Sequence, residues 1–215
     1  MSNSHPSLEL PDSGCTRLLT RVRADTSALS FTPRGAVRCV GLPMFRTPLA
    51  RDVGCLLDLD PSVISWTCLP LVLSNRNRRH VPDFAVTRAT GAHLVDTIPA
   101  SGRAIPPQWA SDAAQKLGYG YETHHEASLR GNVRLENARD LLQYAAYRVS
   151  LGDRLRVLTL LEDHGPMSLS ACLQAIRHGH DAIGVIAALV LRRFIEIELD
   201  EAPIGPDTRV SRFRG

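Results

Sequence analysis

The stretch Val81-Pro82-Asp83-Phe84-Ala85-Val86, followed beyond Gly91 by Leu94-Val95-Asp96-Thr97-Ile98, decides the fold. Residues 82–87 and 93–98 each read as a strand, and Ala89-Thr90-Gly91 between them reads as a tight turn. Asp83 and Asp96 stand thirteen residues apart on the two arms of that hairpin. Side chains alternate across a strand, so in the right register both carboxylates point at one spot. Such a pair offers the hard oxygen ligands that Mg²⁺ takes together with water and substrate phosphate. Two aspartates near a hairpin also serve as solvated turn or edge residues, and the pair alone does not choose between these roles.

Working outward, Thr47-Pro48 opens a helix whose apolar residues Leu49, Val53, Leu56 and Leu57 fall at helical spacing, and Asp60-Pro61 stops it. Residues 63–73 predict a strand with an irregularity at Pro70, and residues 74–79 a polar turn. Past the hairpin come a predicted helix at 109–117, a strand at 119–124 and a longer helix at 135–149. Residues 1–40 form an irregular arm, interrupted by Pro6, Pro11, Gly14, Pro33 and Gly35, and partly helical or disordered. Residues 41–150 form an α/β domain. Beyond Gly152 the pattern becomes three compact helices, at 154–162, 168–176 and 182–193, followed by strands at 195–199 and 209–213. That order predicts a small winged-helix-like domain over 151–215.

The collinear pieces Leu49-Ala50-Arg51-Asp52, Leu56-Leu57-Asp58-Leu59-Asp60-Pro61-Ser62-Val63, Leu69-Pro70 and Pro82-Asp83-Phe84 are together similar to the N-terminal domain of the TnsA endonuclease family. The resemblance continues through Lys116-Leu117-Gly118 to Leu135-Glu136-Asn137 and covers about residues 41 to 147. It implies a restriction-endonuclease-like mixed sheet flanked by helices, a PD-(D/E)xK centre and action on transposon-end DNA. Metal would be held by a helix glutamate and the strand carboxylates, with a lysine aiding the chemistry. Carried over by position, the two acids are Asp83 and Asp96, the helix glutamate falls on Ala50 and the lysine on Ile98. The glutamine before proline falls on Leu69. Ala50 gives a metal no oxygen, and Ile98 gives a phosphoryl transition state no charge. Loss of one preorganised electrostatic group typically slows a reaction by ~10²–10³. Mg²⁺ is left with the remnant pair Asp83 and Asp96. Asp52 and Lys116 are the groups of suitable chemistry on the neighbouring helices.

Composition bounds the rest. The 215 residues suffice for one large domain or two small ones, and 44% hydrophobic with 22% charged residues is ordinary for a globular protein. The N-terminus has no charged-then-apolar leader pattern, and no apolar run reaches the ~18–20 residues of a membrane helix, so a cytoplasmic location without a membrane partner is expected. The five cysteines are scattered without C-x-x-C spacing and read as buried thiols. Net charge is +3, and Lys116 is the one lysine beside 24 arginines. Arginine forks suit phosphate, although a GC-rich genome yields the same bias. Arg76, Arg78 and Arg79, with His80, form a basic turn beside the Asp83 strand and are candidate DNA phosphate contacts. Arg192 and Arg193 after the last helix are further candidates, as are Arg177, Arg209 and Arg212. His124 and His125 face opposite ways on a strand, and His178 and His180 flank Gly179 in a loop; neither pair reads as a metal site. The helix at 182–191 is apolar nearly all round and reads as buried, not as a base-reading helix.

The expectation is therefore a DNA-associated accessory protein of a mobile element, with transposase or ATPase proteins as partners and a silent endonuclease fold. Two alternatives stay open: an active metal-dependent endonuclease with relocated groups, and a winged-helix DNA-binding regulator.

Overall fold

The computed structural model describes residues 13–102, 105–176 and 181–214. Helix α1 (Ser13–Ser27) leads into an extended segment and then α2 (Pro48–Leu59). Thr47 caps α2 by accepting from the Ala50 amide, Pro48 occupies the first turn, and the inward face carries Leu49, Val53 and Leu57. Strand β1 (Val63–Cys68) follows. A small hairpin comes next, β2 (Leu73–Asn75) and β3 (Arg78–His80), and then β4 (Phe84–Arg88) and β5 (Gly91–Ile98). Helix α3 (Trp109–Lys116) crosses over to β6 (Gly120–His125).

The main sheet has the order β1-β4-β5-β6. Its first two pairings are antiparallel and β5-β6 is parallel, as a helical crossover requires. Alternation gives each face its own cover. Trp66, Phe84, Val86 and Val95 are buried in the large core shared with Leu49, Val53 and Leu57 of α2. Leu94 on the other face is buried with Ala110 and Ala114 of α3. At Gly120, which pairs with His93, an added Cβ would come within 2.3 Å of the imidazole, so a side chain there would have to displace the ring.

After α4 (Glu126–Leu129) and α5 (Val133–Leu142), the chain continues through α6 (Leu151–His164), β7 (Met167–Ser168) and α7 (Leu169–Gln174). It ends with α8 (Ala182–Leu191), β8 (Ile195–Ile197) and β9 (Arg209–Arg212), and these last three strands form a sheet of order β7-β9-β8. Every residue of α8 from Gly184 to Leu191 is buried, as its apolar circumference predicts. The apolar residues of α6 to β9 are continuous with those under the main sheet. Asn137 of α5 ties the parts together, donating to Leu199 O and Ala202 O at 2.9 Å.

Three local expectations are corrected, and one is made specific. The helical part that the arm was expected to hold is α1, fifteen residues long and held where Arg23 donates to Leu69 O. The strand expected over 63–73 breaks at Leu69, whose φ of 46° turns the chain out of β1 before Pro70. The helix expected over 135–149 ends at Leu142, and the Ala145 and Tyr147 carbonyls beyond it accept from Arg192. The helix expected over 154–162 begins at Leu151, since the Ser150 hydroxyl accepts from the Asp153 amide and caps it. Among the described residues, no helix is long and apolar enough to cross a membrane.

Candidate functional site

Asp83 immediately precedes β4 and Asp96 lies within β5, both almost fully buried. The Asp83 amide donates to Asp96 Oδ1 at 3.3 Å, so the register expected from the hairpin brings the two carboxylates together. Three neighbouring elements complete the site: the loop ahead of α2 with Arg46, the end of β3 with His80, and β6 with Tyr121.

Arg46 decides its chemistry. Its Nε and Nη2 donate to Asp83 Oδ1 at 2.9 and 2.6 Å, and Nη2 lies 3.6 Å from Asp96 Oδ1. Thr97 donates from both its amide and its hydroxyl to Asp83 Oδ2, each at 2.8 Å. An ionised carboxylate has about four lone-pair positions, and Asp83 therefore has a donor for each. Asp96 Oδ2 is 2.7 Å from His80 Nε2 and accepts from the Tyr121 hydroxyl. Burial, and then the bond to Asp96, raises the Tyr121 phenol well above its ordinary value of 10, so the hydroxyl keeps its proton and donates.

This donor set does not fit Mg²⁺. A hard cation needs carboxylate oxygens turned toward open space and several water positions. Here the oxygens are occupied, and the Arg46 guanidinium supplies positive charge between them. Among the described residues no group of three His, Cys, Asp or Glu side chains stands ready to hold a metal.

The resemblance would put its glutamate and lysine at Ala50 and Ile98. Ala50 is buried in the first turn of α2, and Ile98 is two residues past Asp96 on β5. Neither substitute reaches the pair. Asp52 Oδ1 accepts from Arg139 Nε and Nη2 of α5 at 3.0 and 2.7 Å. Lys116 is exposed on the last turn of α3 and makes no hydrogen bond to the pair.

No family model and no curated protein matches the chain.

The basic candidates divide by location. Arg76, Arg78 and Arg79 are exposed around the β2–β3 turn, with Arg76 in the left-handed region at φ 52°. The guanidinium of Arg79 packs over Gly14 of α1, where an added Cβ would meet it at 2.6 Å. Arg192, exposed, and Arg193, partly buried, both donate to backbone carbonyls. Arg192 donates to Ala188 O and Tyr147 O at 3.0 and 2.9 Å, and Arg193 to Asp60 O and Val63 O at 2.7 Å each. They follow the C-terminus of α8, where unpaired carbonyls draw in cationic side chains. Arg209 is exposed, and Arg212 forms an ion pair with Glu162. Arg177, His178 and His180 lie outside the described residues.

His80 enters the site as an Asp96 partner rather than as part of the basic turn. Arg46 and Tyr121 carry no sequence signal for their role. Arg46 precedes a helix cap and is 37 positions from Asp83, with no periodicity linking them. Asp58 is a structural anchor. It accepts from the Arg38 amide and Trp66 Nε1, both at 2.9 Å, and burial raises its carboxyl above the usual value.

Proposed function

We propose that this chain is a catalytically silent, TnsA-like nuclease-fold protein that acts as a DNA-associated accessory of a mobile element. The element order supports this reading: a helix, an antiparallel β1-β4-β5 unit, a crossover helix and a parallel β6 make one mixed sheet flanked by helices. So does the position of the two acids, with Asp83 just ahead of β4 and Asp96 on the neighbouring β5. The C-terminal order α6-β7-α7-α8-β8-β9, three helices with a three-stranded sheet, supports the winged-helix reading. Its third helix is buried, which favours docking and phosphate contact over base reading.

One observation carries the silence: Arg46 holds the carboxylate pair that a nuclease would present to a metal. A guanidinium neutralises charge but generates no hydroxide and has no open coordination position. On this reading the protein keeps the shape of a DNA-cleaving subunit and offers it to partner proteins, a transposase or an ATPase, in the cytoplasm. DNA contact would come from the exposed basic turn, where Arg76 and Arg78 meet phosphates.

The test is fluorescence anisotropy with duplex DNA of several sequences in rising salt. Binding should be weak, nearly sequence-independent and steeply salt-dependent, as phosphate contact dictates. Arg76→Ala combined with Arg78→Ala should flatten the salt slope. Unchanged affinity and slope in that variant would remove the turn from the DNA surface. Tight binding to one sequence would favour the DNA-binding regulator instead.

A further inference from the structure

We propose that the cavity between the end of α2 and the β8–β9 pair is a binding site for a phosphate group, taken by Arg38, Arg193 and Arg209. This inference stands on the cavity and its unbalanced cations and does not depend on the nuclease-fold reading.

The cavity measures about 390 Å³, a size that suits a small molecule. Three stretches far apart in the chain bring cations to its lining. Arg38 comes from the segment beside β1, Arg193 from the turn after α8, and Arg209 from β9. Leu59, Ile197 and Phe213 add apolar surface. Arg192 is the C-cap of α8, and the left-handed position that follows such a cap is usually glycine. Here Arg193 holds it, at φ 56°, and its guanidinium lies over the Phe213 ring at 5.7 Å from the centroid.

These cations lack counter-ions. Arg38 Nη1 and Nη2 share one acceptor, Leu191 O, at 3.4 Å each, and its Nε is buried with no acceptor among the described residues. Arg193 donates to two carbonyls, Asp60 O and Val63 O, and to no carboxylate. The acids of the cavity are engaged elsewhere. Asp58 accepts from the Val37 and Arg38 amides and from Trp66 Nε1. Asp200 pairs with Arg134 at 2.8 Å, Glu198 Oε1 accepts from the Leu199 and Asp200 amides, and Glu196 Oε1 accepts from the Ser211 hydroxyl. Burial, and then the charge of Arg193, lower the Arg38 guanidinium below its ordinary value, with Asp58 offsetting them only in part. Arginine forks meet phosphate oxygens through paired N–H groups. A phosphomonoester brings about −1.5 to −2 charges at pH 7 and three acceptor oxygens, and so matches two neighbouring cations better than a carboxylate with one charge.

The test is isothermal titration calorimetry on the full chain at constant ionic strength, with inorganic phosphate, adenosine monophosphate and acetate as probes. One or both phosphates should bind saturably at one site per chain, and acetate should not. Tighter binding of the nucleotide marks a phosphate carried on an organic body that uses the apolar surface; inorganic phosphate binding at least as tightly marks the free ion. Arg38→Gln should weaken binding at least about tenfold, the scale of a lost charge-assisted hydrogen bond. Arg209→Ala, a change at an exposed position, should weaken it about two- to fivefold. Arg21→Ala, on α1 and outside the cavity, should bind as the parent does. Circular dichroism identifies the variants that fold as the parent does. Absence of saturable binding by both phosphates, equal binding of acetate, or unchanged affinity in whichever of Arg38→Gln and Arg209→Ala folds normally would each overturn the proposal.

Discussion

Replacing Arg46 by alanine removes the only guanidinium that spans the two carboxylates among the described residues. Asp83 would keep the two Thr97 donors, and Asp96 would keep His80, Tyr121 and the Asp83 amide. Two carboxylates, 5% and 2% exposed, would then face each other with no fixed cation between them. Breaking a buried ion pair by deleting one partner typically costs about 3–5 kcal/mol. Arg46 is 32% exposed on its outer side, so water can enter where it stood, and the cost should fall to about 2–3 kcal/mol. Equilibrium urea unfolding at pH 7 measures it directly. A cycle with Asp83→Asn should return a coupling of at least about 1 kcal/mol, since charge neutralised at either end relieves the same repulsion. With the guanidinium gone, Mn²⁺ should raise the unfolding midpoint of the variant while leaving the parent unmoved, because binding to the native state alone stabilises it. A variant within about 0.5 kcal/mol of the parent, the level of an ordinary surface pair, would refute the claim that Arg46 holds the site together.

Three further outcomes follow from the same structure. Burial lowers His124 below its ordinary 6.5, so the unfolded chain takes up its proton first as pH falls; stability should drop below about pH 6.5, and His124→Gln should lessen that drop in unfolding midpoints between pH 7 and 5. Arg51, 1% exposed and donating to Pro33 O and Gly35 O at 2.6 and 2.7 Å, pins the extended segment to α2. Arg51→Ala should cost about 2–4 kcal/mol in thermal or urea unfolding, through two orphaned carbonyls and a cavity under Phe45. Gly120→Val should destabilise by about 1–3 kcal/mol, because its side chain must displace the His93 ring; a neutral result would mean that β6 does not pair at this register.

What the sequence disclosed was local. Thr47-Pro48 and Asp60-Pro61 mark both ends of α2 because capping and helix stopping depend on a few adjacent residues. Gly91 marks the β4–β5 turn with a φ of 137°, and alternation across that turn brings Asp83 and Asp96 together. The apolar run of α8 states its own burial. What stayed hidden depends on partners distant in the chain. Arg46 is one arginine among 24 until folding sets it against Asp83. Arg192 and Arg193 read as free cations because nothing adjacent reveals the carbonyls of Asp60, Val63 and Tyr147 that take them. Helix α1 was obscured because only Thr26 of it is buried, so its apolar stripe is short.

The central claim is that the carboxylate pair does no metal-dependent chemistry, and cleavage of supercoiled plasmid tests it most directly. The purified chain, in excess over DNA and supplied with Mg²⁺ or Mn²⁺, should leave the plasmid intact over hours, matching an Asp83→Ala control. Nicking or linearisation by the unmodified chain, abolished in that control, would contradict it and make Arg46 part of a working centre.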